Sequence, residues 1–281
     1  MSSKIYFSEQ RRRPLSFYPV RTLSALLNRI APALALRQVE KLLLTPATRR
    51  GDVTCPAQMK RQRIAGREGE LQLYSLGEGR TVLLTHGWSG GASQFFPLMQ
   101  KIAAEGYKAV AFDHYGHGQS AGRQANLPLF IKGLEDVVAH CGQAQLHCVV
   151  SHSMGTVSAL NVVKEAPHVL IAPTFGFYDS LRRTIFDSGI APALFERLLA
   201  RIETVHRIPF REAVSERHIG RVECAVHIVH DEGDRFAPFS ASRGISEQYA
   251  HVTLHATQGQ GHGRVIDSEQ TWRVVSRLCA E

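Results

Sequence analysis

The sequence has few cysteines and none of the patterns in which cysteines bind zinc or cross-link a small secreted domain. The five cysteines are odd in number, widely spaced and never paired as Cys-x-x-Cys: Cys55, Cys141, Cys148, Cys224 and Cys279. Neither a disulfide framework nor a zinc site is indicated. We therefore expect a cytoplasmic protein, kept reduced, that holds no metal.

Long apolar runs are also absent. The longest run near the start, residues 30–36, ends at Arg37, well short of the roughly 20 residues that cross a bilayer. Residues 1–14 carry Lys4 and three consecutive arginines, but the apolar segment of a secretory signal does not follow them. We expect neither a transmembrane helix nor a secreted protein.

Nucleotide-binding motifs are missing too. The chain has no Gly-x-Gly-x-x-Gly and no Gly-Lys-Ser/Thr signature, so we do not expect the glycine-rich loop at residues 86–91 to hold a phosphate group. The sequence therefore predicts a protein that works without a cofactor.

The positive charge is confined to one end of the chain. The whole sequence has 33 Lys and Arg against 25 Asp and Glu, but residues 1–67 alone have 14 against 3, which leaves 19 against 22 for the remainder. A mildly acidic body argues against nucleic-acid binding, because phosphate contacts need a basic face on the folded domain.

The basic end has helical periodicity. Within residues 20–44, two runs of apolar residues recur at the spacing of one helix face and are separated by Pro32, which predicts two short amphipathic helices. The favoured interpretation is that they pack against the main domain with their arginines in water. Peripheral contact with an anionic membrane or a partner is the alternative, and a transit peptide is a third. We divide the chain into a basic helical N-terminal extension, residues 1–63, and a main domain, residues 64–281.

The main domain alternates apolar strands with amphipathic helices. The predicted strands are residues 70–76, 81–85, 109–112, the run that ends near 151, 168–172, 225–229 and 252–255. This alternation is typical of the α/β class, with a mostly parallel central sheet covered by helices on both faces. Reactive side chains are expected just after the strands, at their carboxyl ends.

One such end carries a candidate nucleophile. The segment from Val149 to Gly155 reads as a strand, a sharp turn and the start of a helix, with Ser153 at the tip. Serine needs a nearby base that is itself held by a carboxylate. His262 follows the last predicted strand in a flexible glycine-rich loop, and is the candidate base. The strand-borne His251 and His255 are interpreted as structural.

Three carboxylates lie within reach of that base. Asp231, Glu232 and Asp234 share the loop after the strand at 225–229. Asp234 is preferred because Arg-Phe-Ala-Pro follows it and Pro238 ends the loop at the spacing that the family resemblance described below implies. Asp231 remains the alternative, with a role as a turn cap as its other interpretation.

An oxyanion that forms at the serine needs two backbone N–H donors. Met154, directly after Ser153, supplies one. The glycine-rich loop at 86–91 is expected to supply the second, and we choose Trp88 over Ser89.

These motifs together resemble the α/β-hydrolase superfamily, in its serine esterase and lysophospholipase-like branch, over roughly residues 64–280. The matching pieces are His86-Gly87-Trp88, Asp113 to Ser120, Ser151-His-Ser153-Met-Gly155, Asp234-Arg-Phe-Ala-Pro238 and Gly261-His262. The resemblance implies the α/β-hydrolase fold with a helical cap after the sixth strand, at about residues 173–221. It makes Ser153 the nucleophile, His262 the base and Asp234 its orienter.

The resemblance also decides two smaller points. The segment from Asp113 to Ser120 has two histidines three residues apart, and the resemblance makes it a structural turn rather than a metal site. The departures from the family pattern are Ser151 for the first glycine of the turn, Thr156 for a second glycine and Asp231 for a loop glycine.

The expected activity is cleavage of a carboxylic ester or thioester with an apolar acyl group. The cap candidates for substrate contact are Phe177, Tyr178 and Phe186, while Arg182 or Arg183 could hold an anionic leaving group. An acyltransferase or perhydrolase, or a carbon–carbon bond hydrolase, would use the same three residues. A non-catalytic binding module on the same fold is the alternative of another class.

Overall fold

The central element is one sheet of eight strands. The computed structural model describes residues 15–47 and 53–280. The strands are β1 (Lys60–Gly66), β2 (Gly69–Leu76), β3 (Thr81–Thr85), β4 (Lys108–Phe112), β5 (Leu146–His152), β6 (His168–Ile171), β7 (Val226–Asp231) and β8 (Val252–Thr257). Their order is β1-β2-β4-β3-β5-β6-β7-β8. The strand β2 runs antiparallel to both of its neighbours, β1 and β4, and the remaining neighbouring strands are parallel. The mostly parallel sheet confirms the predicted fold class.

Helices cover both faces of this sheet. They are α1 (Phe17–Ile30), α2 (Pro32–Leu44), α3 (Phe96–Ala104), α4 (Leu127–Cys141), α5 (Gly155–Val162), α6 (Phe177–Asp187), α7 (Pro192–His206), α8 (Phe239–Gln248), α9 (Gly261–Arg264) and α10 (Glu269–Ala280). In β3, Val82 and Leu84 are buried with α3 and α10, while Leu83 points to the opposite face and is buried with α4 and α5. Because both faces are covered, β3, β5 and β6 are buried along their whole length.

The strand β1 was not predicted, and it crosses the proposed boundary at residue 63. It pairs antiparallel with β2 across the turn at residues 66–69. Of its seven side chains only Ile64 is buried, because β1 is an edge strand with little apolar contact. A strand with one buried side chain lacks the alternation from which sequence reasoning infers strands. The boundary therefore needs correction to a point before Lys60.

A helical cap follows the sixth strand, as predicted. Helices α6 and α7 and two short 3₁₀ turns lie between β6 and β7. The helices of the N-terminal extension pack on this cap rather than on the sheet: Ala35 and Val39 of α2 are buried in one cluster with Leu198 and Ile202 of α7. An ion pair between Glu40 and Arg201, 2.6 Å long, adds to the contact. Residues 1–14 and 48–52 of the extension lie outside the described residues.

Within residues 15–47 and 53–280, none of the helices has both the length and the apolar character needed to cross a bilayer. The same ranges contain no cluster of three or more histidine, cysteine, aspartate or glutamate side chains suited to a metal ion.

Two buried histidines make the stability of the fold sensitive to acid. Burial lowers the pKa of His168 on β6 to about 4, and burial together with the nearby His262 lowers that of His152 on β5 to about 3. In the unfolded chain histidine has a pKa of about 6.5. Below that pH the unfolded state therefore binds protons at these two histidines that the folded state does not bind. Stability should be lost as the pH falls below about 6.5, by roughly 3 kcal/mol for the pair at about pH 5. Urea unfolding measured across this range checks the slope.

The variant His168→Gln provides the control. Glutamine retains an N–H donor for the Val163 carbonyl that His168 contacts at 3.0 Å, but it does not titrate. The share of His168, about half of the loss that the pair contributes between pH 6.5 and 5, should disappear in this variant. An unchanged pH slope would contradict the assignment.

Candidate active site

The turn that presents Ser153 is strained and tightly packed. Ser153 follows β5 directly and has a φ of 52°, in the left-handed region that serine rarely occupies. A side chain at Gly155 would come within 2.6 Å of the His86 carbonyl oxygen and 2.7 Å of that of Thr85. Glycine is therefore required at 155 because the backbone that follows β3 lies against it. The side chain of Ser151 is fully buried under the turn.

Three of the predicted site residues form one chain of hydrogen bonds. Ser153 Oγ lies 2.9 Å from His262 Nε2, and His262 Nδ1 lies 2.7 Å from Asp234 Oδ2. Because an ionised carboxylate only accepts, Nδ1 carries the proton, and the neutral ring accepts the Ser153 hydroxyl at Nε2. The structure thus brings Ser153, Asp234 and His262 together at the carboxyl edge of the sheet, from the turn after β5, the loop after β7 and the short helix α9 after β8.

The carboxylate of Asp234 is buried and fully satisfied. Its Oδ1 accepts the backbone N–H groups of Phe236, at 2.7 Å, and Ala237, at 3.1 Å. Its Oδ2 accepts His262 and also His230 Nε2, at 3.1 Å. Burial alone would raise the pKa of Asp234, but the hydrogen bonds from the two histidines outweigh it and hold the pKa well below its usual range. The carboxylate of Asp234 is therefore ionised at neutral pH.

His230 is a contact that the sequence analysis did not identify. It is fully buried at the end of β7, and its Nδ1 lies 2.7 Å from the Ser242 hydroxyl. Since Nε2 donates to Asp234, Nδ1 accepts from Ser242, which fixes the ring in one tautomer. The signal was present in the sequence, because His230 stands four residues before Asp234, but only the fold brings the ring to the carboxylate.

Asp231, the alternative acid, connects the loop after β7 to the segment just before His262. Its Oδ1 accepts the Gly233 N–H at 3.0 Å, and its Oδ2 accepts the Gln260 N–H at 2.8 Å and the Thr257 hydroxyl at 3.1 Å. Burial raises its pKa, but the backbone and hydroxyl donors outweigh this and lower it overall. Asp231 therefore caps its own turn and also ties down the segment just before His262.

Removing the hydrogen bonds of Asp231 should make the position of His262 less well defined. In Asp231→Ala, kcat should fall about 10- to 100-fold at an unchanged KM, because a displacement of about 1 Å in a catalytic group has an effect of this size. Asp231→Asn keeps one acceptor and should retain more activity. Steady-state kinetics of ester hydrolysis check both variants.

The neighbouring Glu232 offers a matched control. Within the described part of the chain, its carboxylate contacts only the exposed Gln258 amide, at 3.0 Å. Glu232→Gln should behave as the wild type, and an equal loss in this variant would remove the positioning role from Asp231.

A second hydrogen bond reaches His262 from His152, the residue just before Ser153. His152 Nε2 donates to the His262 backbone carbonyl at 2.9 Å, and the two rings lie 4.9 Å apart. His152 is buried and neutral because burial and the adjacent His262 lower its pKa to about 3. The residue before the candidate nucleophile therefore holds the backbone of the candidate base.

Two backbone N–H groups are available near the turn of Ser153, against which the loop at Gly87 packs. Among the described residues, no acceptor contacts the N–H of Trp88 or of Met154. The N–H of Ser89 is engaged, because it donates to His117 Nε2 at 3.1 Å. His117 lies in the turn from Asp113 to Ser120, which packs against the glycine-rich loop: Asp113 accepts the Ala92 N–H at 2.9 Å.

A cavity of about 320 Å³ opens beside Ser153 and His262. Its wall is mostly apolar and comes from the cap, from Trp88 and from Leu43 and Leu44 at the end of α2. No aspartate, glutamate, lysine or arginine is among the described residues that line it. Polar contacts come from Asn126 and Thr174 in addition to the serines and His262. An apolar group of a substrate fits this lining.

Of the three cap candidates, only Phe177 lines the cavity. Tyr178 faces outward, where its hydroxyl accepts from Arg211 at 2.7 Å. Phe186 packs edge-on against Phe195 and lies under the Arg182 guanidinium.

The remaining cap expectations also need correction. Tyr178 and Phe186 are wrong as cavity residues because the turn of α6 directs them away. Arg182 and Arg183 are exposed and do not reach the cavity. Sequence reasoning missed Leu43 and Leu44, whose role depends on how the extension packs.

Comparisons with known proteins agree with this geometry. A family model described as serine aminopeptidase, S33, matches residues 78–217, about half of the chain. A monoacylglycerol lipase from Mycolicibacterium smegmatis is 31% identical over 80 residues, which cover 26% of this chain and only 29% of that protein.

Two solved structures share nearly the whole fold. The esterase Pf2001 from Pyrococcus furiosus has a TM-score of 0.62 and 20% identity over 84% of this chain and 96% of that chain. A membrane phospholipase A, described as a bacterial virulence factor, has a TM-score of 0.60 and 17% identity over 95% of this chain and 97% of that chain.

Proposed function

Since this chain belongs to the α/β-hydrolase superfamily, we propose that it is a serine hydrolase that cleaves carboxylic esters or thioesters with an apolar acyl group. The observation that carries the proposal is the hydrogen-bonded series of Ser153, His262 and Asp234 beside an apolar cavity. The esterase and lipase relatives described above support the same class of reaction.

The proposed mechanism proceeds through an acyl-enzyme. Ser153 Oγ attacks the acyl carbon while its proton passes to His262 Nε2, and Asp234 stabilises the resulting imidazolium. The N–H groups of Trp88 and Met154 bind the oxyanion. His262 then gives the proton to the leaving alcohol or thiol. Water, activated by the same ring, releases the acid and restores Ser153.

The cavity favours an acyl ester over a peptide substrate. An aminopeptidase holds the charged amino terminus of its substrate, and a carboxylate is the usual partner for an ammonium group. The described lining offers none, since its polar groups are hydroxyls, an amide and His262. The proposed activity is therefore not that of an aminopeptidase.

Labelling with a fluorophosphonate probe tests the proposal. Such a probe phosphonylates only an activated serine, so the wild type should react at Ser153 and hydrolyse p-nitrophenyl butyrate. Absence of both reactions in the folded protein would favour a binding module on this fold. Faster acyl transfer to added alcohol or peroxide than to water would reassign the enzyme as an acyltransferase or perhydrolase, and cleavage of a diketone in preference to esters as a carbon–carbon bond hydrolase.

A further inference from the structure

The exposed apolar side chains of this protein are concentrated in one place. Eight large apolar side chains are exposed in the described part of the chain, and seven of them lie on or just before α1 and α2: Leu15, Tyr18, Leu23, Leu26, Ile30, Leu34 and Leu42. The eighth is Val205 on α7. A random scatter of single exposed residues would not collect on two of ten helices, and a concentrated apolar surface marks an interaction site.

On α1 these side chains form a continuous stripe. Leu23, Leu26 and Ile30 recur at the spacing of one helix face and are 66%, 52% and 69% exposed. The opposite side of α1 starts with the buried Phe17 and packs toward α2 and α7. We call the surface formed by Leu23, Leu26 and Ile30 the outer stripe. The helix is therefore apolar on both sides, whereas a helix that only packs on its own protein needs one apolar side.

The exposed charged side chains of α1 and α2 are all positive. Arg29 on α1 and Arg37 and Lys41 on α2 are exposed. They belong to residues 1–67, in which 14 Lys and Arg face only 3 Asp and Glu. Exposed leucines and isoleucine flanked by arginine and lysine are the combination that lies at the interface of an anionic bilayer, with apolar side chains among the acyl chains and cations among the phosphates.

The same pair of helices leads into the catalytic cavity. Leu43 and Leu44, the last two residues of α2, line the cavity beside Ser153. The following segment is fastened to the site, because the Ala47 N–H donates to Ser89 Oγ at 2.9 Å and the Leu44 carbonyl accepts the Ala125 N–H at 2.8 Å. The two adjoining helices thus bear the exposed apolar surface, on α1, and part of the cavity wall, on α2.

We propose that the outer stripe and its neighbouring cations dock the protein on the surface of an anionic phospholipid bilayer. The docked protein then draws its acyl substrate from that surface, a second step that rests on the function proposed above. Docking itself needs no catalysis. Docking can therefore fail or succeed independently of the hydrolase assignment.

The binding test uses the full chain with Ser153→Ala, so that lipid is not consumed. Vesicles of phosphatidylcholine with about 30% phosphatidylglycerol supply the anionic surface. We expect the protein to co-sediment with them, and to be released at about 1 M NaCl, where charges are screened beyond about 3 Å. The triple variant Leu23→Gln, Leu26→Gln, Ile30→Gln should bind at least about tenfold more weakly.

Matched controls decide whether the outer stripe itself matters. Val205→Gln removes the one large exposed apolar side chain that lies outside this region in residues 15–47 and 53–280, and should bind as before. Arg29→Gln, Arg37→Gln, Lys41→Gln should weaken binding to anionic vesicles, whereas Arg243→Gln, Arg273→Gln, Arg277→Gln on α8 and α10 should not. Absence of co-sedimentation, or equal losses in the control variants, would overturn the proposal. So would a dimer in light scattering that the triple apolar variant converts to monomer, because a second copy would then cover the stripe.

Kinetics test the second step. With active enzyme, the triple apolar variant should hydrolyse soluble p-nitrophenyl butyrate at the wild-type rate, because none of its three positions lines the cavity. Its rate on a long-chain monoacylglycerol embedded in the anionic vesicles should fall about tenfold, in parallel with binding. Docking without any hydrolysis would leave the surface assignment intact and contradict the proposed function. Equal rates on embedded substrate would contradict delivery from the membrane.

Discussion

Replacing Ser153 by alanine is expected to lower kcat for p-nitrophenyl butyrate about 10⁶-fold, and replacing His262 by alanine should have a similar effect. Both side chains take part in one proton transfer, joined by the 2.9 Å contact between Ser153 Oγ and His262 Nε2. Once either is lost, the other has no function. The double variant should therefore be no slower than either single variant. Stopped assays at high enzyme concentration measure the residual rates.

The neighbouring Ser151 supplies the matched control. Its hydroxyl is buried and has no hydrogen-bond partner among the described residues, so Ser151→Ala should keep full activity. Circular dichroism and thermal unfolding should be close to wild type for Ser153→Ala, because alanine and serine meet the same backbone constraint at a φ of 52°. Retained hydrolysis or retained fluorophosphonate labelling in Ser153→Ala would remove Ser153 as the nucleophile.

The strand, turn and helix that present Ser153 could be predicted from the sequence because their causes are local. A buried strand, a serine and a glycine two residues later are consecutive in the chain, and the glycine is needed wherever backbone closes on that turn. The positions of His262 and Asp234 could be predicted because parallel strands bring their carboxyl ends to one edge. Those inferences use only strand order, which apolar patterning reveals.

Contacts that depend on side-chain direction could not be predicted. Nothing in the sequence around Leu43 and Leu44 distinguishes cavity wall from helix packing, and their position follows from α2 lying on the cap. Tyr178 is adjacent to Phe177 but points the other way, since successive residues of a helix are about 100° apart. The roles of His152, His230 and Asp231 likewise depend on loops that meet only in the folded chain.

Replacing Asp234 by asparagine should lower kcat about 10⁴-fold while the fold is retained. Asp234 accepts four hydrogen bonds, two at each carboxylate oxygen. Asparagine has one acceptor oxygen and one N–H₂ group. If its oxygen keeps the backbone N–H groups of Phe236 and Ala237, its amide faces His262 Nδ1 with a donor. The ring must then carry its proton on Nε2, where it can no longer accept the proton of Ser153.

The same experiment distinguishes the two candidate acids. Both carboxylates are close to the His262 loop, but only Asp234 contacts the ring, at 2.7 Å from Nδ1. Asp231 contacts the backbone at Gln260. Loss of the orienting carboxylate removes the group that fixes the tautomer of His262 and stabilises its charged form, whereas loss of a loop contact only widens the distribution of ring positions. Asp234→Asn should therefore be slower than Asp231→Asn by more than about 100-fold. The reverse order would transfer the role of the orienting acid to Asp231, because a carboxylate that does not touch the ring would then dominate its tautomer.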